Sequence, residues 1–147
     1  MDWELLFVVT NGVAAAGWLA LALLPRTERV QGALLVAAVG LLCVIYLVMF
    51  VGLMGGMVDP GRGGVAAPPF EYTVDGLKAA FAARGVIVLG WTHYLAFDLF
   101  VGLWIARDAD QRGIGRLVQL PFFVTTFFAG PIGLLAWLAA RRPLTRR

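Results

Sequence analysis

Gly85-Val-Ile-Val-Leu-Gly-Trp-Thr-His-Tyr-Leu-Ala-Phe-Asp-Leu-Phe-Val-Gly-Leu-Trp-Ile-Ala106 holds one acid, Asp98, one histidine, His93, and no Lys or Arg. It is long enough to cross a bilayer, which takes about 20 residues at 1.5 Å rise each. Three further charge-poor stretches match it in length: residues 5–24, 33–58 and 117–140. High apolar content on every side, without period-2 alternation, favours helices over a barrel. The expected fold is therefore an all-α, integral membrane four-helix bundle, with residues 1–147 as a single domain.

Composition agrees. The chain is 61% hydrophobic and only 14% charged, with a mean hydropathy of +0.84. A soluble domain carries roughly 45–50% apolar and about 25% charged residues. A soluble chain of this size could not hide so much apolar surface. Cys43 is the only cysteine, which excludes a disulfide framework and a four-thiolate metal centre within one chain. With one histidine, bis-histidine haem ligation by one chain is also excluded. A single-ligand haem, or a metal held by His93 with carboxylates, stays formally open. No nucleotide-binding or hydrolase motif is present. The net charge of +3 comes from basic residues scattered between apolar runs and gathered at the tail. That pattern sets membrane orientation rather than nucleic-acid binding.

The start, Met-Asp-Trp-Glu, is acidic and its apolar run is long, so the first span reads as a retained helix rather than a cleaved signal peptide. The connection after Asp59 is long. Pro60-Gly-Arg-Gly-Gly64 and Pro68-Pro69 forbid regular helix. Thr73 is a candidate cap for a short interfacial helix leading into the third span. With four complete spans, seven Lys and Arg fall on the side of the termini and five on the other. The positive-inside rule then places both termini in the cytoplasm. The dominance of Arg over Lys, with heavy Ala and Gly usage, suggests a bacterial chain and hence the inner membrane.

Polar groups at membrane depth carry the functional signal. A charge near the bilayer centre costs at least roughly 2.5–3.5 kcal/mol, so it needs a partner or a job. His93 and Asp98 are five residues apart, so on one helix they point about 140° away from each other and are displaced by about 7.5 Å. They do not bond to each other within the helix. Tyr94, one turn before Asp98, is a candidate partner for the carboxyl; Asn11 in the first span is another. The structural alternative for His93 is a hydrogen bond across helices, and for Asn11 an interhelical clamp. In the last span Pro131 should kink the helix, because it cannot donate to the Phe127 carbonyl. Thr125, Thr126 or a water would then satisfy the freed group. Phenylalanines here, with Trp104 and Trp137, would wall a pocket suited to a polyene or an isoprenoid.

The pattern Trp91-x-His93-x4-Asp98-Leu-Phe, then Arg107-Asp108, Pro121 and Phe127-Phe128-x-Gly130-Pro131-x-Gly133-Leu resembles the abscisic-acid-deficient-four-like family of small four-span membrane proteins. The resemblance is strongest from Gly90 to Leu135. Plant members of that family are needed to make neoxanthin from violaxanthin. The resemblance implies an isomerisation of a 5,6-epoxide to an allenic alcohol, which needs an acid at oxygen and a base at a vinylic carbon. Burial favours the neutral forms, so Asp98 would be the acid and His93 the base, with Tyr94 or Asn11 able to replace one of them. Substrate contacts are expected from Asn11, Trp91, Phe97, Trp104, Thr126, Phe127 and Pro131. The implied partners are the bilayer and a hydrophobic isoprenoid or carotenoid, with no cofactor, metal or nucleic acid; homo-oligomerisation stays open. The competing reading is a non-catalytic bundle that binds a pigment, quinone or haem, or a subunit of a larger complex.

Overall fold

The computed structural model describes residues 1–61 and 71–144. The breaks expected at 62–64 and at Pro68-Pro69 lie outside them. Every regular element among the described residues is helical. The chain runs through α1 (Trp3–Leu23), α2 (Glu28–Met54), α3 (Val74–Phe81), α4 (Arg84–Gln111), α5 (Arg116–Phe128) and α6 (Gly130–Leu144).

Local chemistry sets the boundaries. Asp2 caps α1 by accepting from the Leu5 amide at 3.1 Å, and Thr27 caps α2 through the Val30 amide. Helix α2 thus begins at Glu28, ahead of the span expected from residue 33, because Thr27 starts the helix early. Within α2, residues Leu35–Gly40 form a π-helical stretch. Thr73 caps α3 through the Gly76 amide, as the sequence suggests. The charged segment after Ala106 does not stop α4, which continues to Gln111 before turning at Gly113.

Among the described residues three helices are long and apolar enough to cross a membrane: α1, α2 and α4. Of these α4 is central: half of its apolar window is buried, against 22% for α1 and for α2. Close approach needs small residues, because lipid gives no hydrophobic drive for helix pairing. Trp3 lies on Gly85 and Trp18 on Gly102, where any β-carbon would overlap the indole. These two seats, with Gly17 beside Leu99, make α1 and α4 parallel neighbours. Antiparallel α2 packs on α4 through Tyr46–His93 at one end and Gln31–Arg107 at the other.

The stretch expected as a fourth span, 117–140, is two helices rather than one. The chain leaves helical geometry at Ala129 (φ −154°, ψ 76°) and begins α6 at Gly130. Pro131 has no N–H to donate to Phe127, and it sits in the first turn of α6, where proline is tolerated. The effect is a reversal and not a kink. Phe122 meets Trp137 with ring centroids 5.2 Å apart, and Gly133 packs against Thr126. Helix α6 therefore returns alongside α5 and runs parallel to α4. Trp137 Nε1 donates to Asp108 at 2.9 Å and Arg141 to the same carboxylate at 3.3 Å.

Candidate functional site

Asp98 stands midway along α4, and the turn between α5 and α6 is pressed onto it. Its side chain is buried, at 7% exposed. A β-carbon at Gly130 would overlap the carboxyl group, so any larger residue there must displace Asp98. Asp98 Oδ2 is sealed from solvent and has no hydrogen-bond partner. Thr126 Oγ1, on the other limb of the hairpin, is in the same condition. Two buried, unpartnered polar atoms at one turn are unusual, because each forfeits the solvation it had in water.

Tyr94 joins the site as its i−4 spacing to Asp98 suggests. Its hydroxyl donates to the Phe128 carbonyl at 3.0 Å and faces both Asp98 and the Gly130 amide. It thereby ties the last residue of α5 to the first of α6. Ala129 N–H bonds back to the Thr125 carbonyl and its own carbonyl accepts from Ile132 and Gly133. Neither threonine expected to serve the Phe127 carbonyl does so, since the Thr125 hydroxyl donates to the Pro121 carbonyl and Thr126 Oγ1 has no partner.

The other expected residues are distributed around this centre. Trp91 stacks on Tyr94 with centroids 5.3 Å apart and donates to Asn11 Oδ1 at 3.1 Å. Asn11 is thus an interhelical clamp to Trp91, its amide nitrogen bonded to the Phe7 carbonyl, and does not reach Asp98 as a partner. Phe127 packs edge-on to Trp18 and lines a groove of about 220 Å³ between α1 and α5, with Leu19, Phe123 and Phe128. Pro131 is exposed at the turn.

His93, Phe97 and Trp104 lie elsewhere. His93 is on the exposed α2–α4 face, stacked on Phe97 at 4.5 Å and beside Tyr46. The 140° separation from Asp98 persists because α4 is a continuous helix across both residues. The pairing of His93 as base with Asp98 as acid is therefore not assembled. Trp104 lies beneath the Arg141 guanidinium, 5.6 Å from its ring, along the α4–α6 seam. No three His, Cys, Asp or Glu side chains converge among the described residues.

A second polar centre closes the end of the bundle where α1 turns into α2. Arg26 donates to Gln119 Oε1 and to Asp110, the latter at 3.2 Å, with its guanidinium over Phe123. Gln31 bridges Arg107 and Asp110. Burial lowers the Arg26 pKa below the usual guanidinium value, and Asp110 partly offsets this. Sequence reasoning missed this network. Its signal was present as Gln31 and Gln119, two amides beside apolar runs.

A helical membrane protein with a buried carboxyl at the turn of a helical hairpin is the class that this fold and site define. A family model described as ABA DEFICIENT 4-like matches residues 5–137. The chain belongs to that family. No curated protein and no solved structure matches it.

Proposed function

We propose that the protein is an isomerase of the bacterial inner membrane that acts on a carotenoid or another isoprenoid by proton transfer through Asp98. The observation that carries this reading is the sealed, unpartnered Oδ2 of Asp98 beside the Tyr94 hydroxyl. A structural carboxyl would use both oxygens; a reacting one keeps an oxygen free for its substrate. Family membership supports carotenoid-related chemistry, and the apolar groove along Trp18, Phe127 and Phe128, the last residue being bonded to Tyr94, suits part of a long hydrocarbon.

On a 5,6-epoxide the step balances without any co-reactant. The neutral Asp98 carboxyl gives its proton to the epoxide oxygen as the carbon–oxygen bond breaks, leaving positive charge on carbon. The carboxylate then takes the vinylic proton, and that bond's electron pair forms the new double bond of the allene. Asp98 ends as it began, and His93 is not required. Tyr94 stabilises the carboxylate while it is charged by turning its one O–H from the Phe128 carbonyl to Asp98. The groove, lined by apolar side chains, also favours a second reading: a pigment-binding protein without turnover. Purified protein in mild detergent, given a 5,6-epoxycarotenoid, distinguishes them. Conversion to an allenic product supports the isomerase. A stoichiometric polyene spectrum that never changes supports the binder.

A further inference from the structure

We propose that the chain crosses the bilayer three times and that α5 and α6 re-enter it as a hairpin, entering and leaving at one face and turning back at Asp98. Helices of 13 and 15 residues reach only about 20 and 22 Å at 1.5 Å per residue, short of a hydrocarbon core about 30 Å thick. Both outer ends of the hairpin are fixed at the same end of the bundle. Arg116 at the start of α5 donates to the Leu24 carbonyl at 2.6 Å, while Trp137 and Arg141 of α6 hold Asp108 near the end of α4. The turn lies deep between them. Non-helical backbone is tolerated at such depth only when protein covers it, and the Tyr94 bond to Phe128 together with the seat of Gly130 on Asp98 supplies that cover.

Charge gives an independent argument. With four complete spans the basic residues divide almost evenly. With the hairpin, seven of the described Arg lie at the end holding the α1–α2 turn, the α4–α5 turn and the end of α6: Arg26, Arg29, Arg107, Arg112, Arg116, Arg141 and Arg142. Among the described residues only Lys78 and Arg84 lie at the other end, which also carries Asp2, Glu4, Asp59, Glu71 and Asp75. The positive-inside rule then places the Arg-rich end in the cytoplasm and the N-terminus on the opposite face. This replaces the expectation that both termini share a face. It does not depend on Asp98 being catalytic, and an inactive protein would keep this topology.

Single cysteines in a Cys43→Ser background test it. Asp2→Cys, Asp75→Cys, Gln111→Cys and Pro143→Cys are treated with a membrane-impermeant maleimide in vesicles of known orientation. Pro143→Cys should label from the same face as Gln111→Cys, and Asp2→Cys from the same face as Asp75→Cys, opposite to the first pair. Labelling of Pro143→Cys from the face of Asp2→Cys would mean four complete spans and overturn the proposal. Where a cysteine variant fails to insert, full-length protein with an N-terminal epitope and a C-terminal fluorescent protein reads the same topology. Cytoplasmic fluorescence with an external epitope supports the hairpin; fluorescence with a cytoplasmic epitope overturns it.

Discussion

Asp98 and Gly130 touch at the middle of the molecule: the carboxyl occupies the space where any side chain at position 130 would begin. The contact joins the central helix to the turn of the hairpin, and it fixes how deep that turn reaches. Three features of the sequence converge there. Pro131 ends one helix and starts another, Gly130 removes the obstruction, and Tyr94 holds the two ends together.

Gly130→Ala should push the turn off Asp98 and cost about 1–3 kcal/mol, the range for overpacking. Thermal unfolding in detergent reads the loss. Asp98→Ala in the same chain should recover part of it, since the two residues compete for one space and their effects are then coupled. Additive losses in the double variant would mean that the contact is slack.

Tyr94→Phe keeps the ring stacked on Trp91 and removes only the hydroxyl. The loss of its bond to Phe128 should cost about 1 kcal/mol. Turnover should fall roughly 100-fold, the scale of losing one donor from a reacting site. Unchanged turnover in a folded Tyr94→Phe protein would leave Tyr94 a purely structural clasp.

His93→Ala removes an exposed ring from the far face of α4. The ring contact with Tyr46 across the α2–α4 seam is lost with it, so stability should fall by about 0.5–1.5 kcal/mol, while conversion of substrate should persist. Abolished turnover in a folded His93→Ala protein would show that His93 enters the chemistry from a surface that the substrate also reaches.

Asp108→Ala should be the most damaging change outside the turn, because Arg112, Trp137 and Arg141 all donate to that carboxylate. Stranding these donors should cost about 3 kcal/mol. Trp137→Phe, which loses one bond and keeps most of the packing, should cost about 1 kcal/mol by the same measurement.

The three long helices are legible in the sequence, since each holds a charge-poor run of bilayer length; their true ends are not, because the Thr27 cap starts α2 ahead of its apolar run and α4 has no side-chain cap. The Asp98–Tyr94 pairing follows from helical spacing, and so does the separation of His93. The hairpin does not. Pro131 announces an interruption, but a local signal cannot say whether the chain bends or reverses. That direction is decided by Asp108, which lies 29 residues from Trp137 in the chain and captures it. For the same reason depth alone makes Asn11 a candidate partner for Asp98, and only the rotation of α1 about its axis sends it to Trp91 instead. The Arg26–Gln119 contact spans 93 residues, beyond any local pattern.

Asp98→Asn separates a reacting carboxyl from a structural one. The amide keeps the shape that fits Gly130 and most of the hydrogen-bonding capacity, but it cannot give up and recover a proton as a carboxyl does. The variant, compared with the native protein in one detergent, should insert normally, unfold at nearly the same temperature and lose conversion of a 5,6-epoxycarotenoid by about 100-fold or more, on the order expected for a general acid–base group. Full conversion by a well-folded Asp98→Asn protein would contradict proton transfer through Asp98.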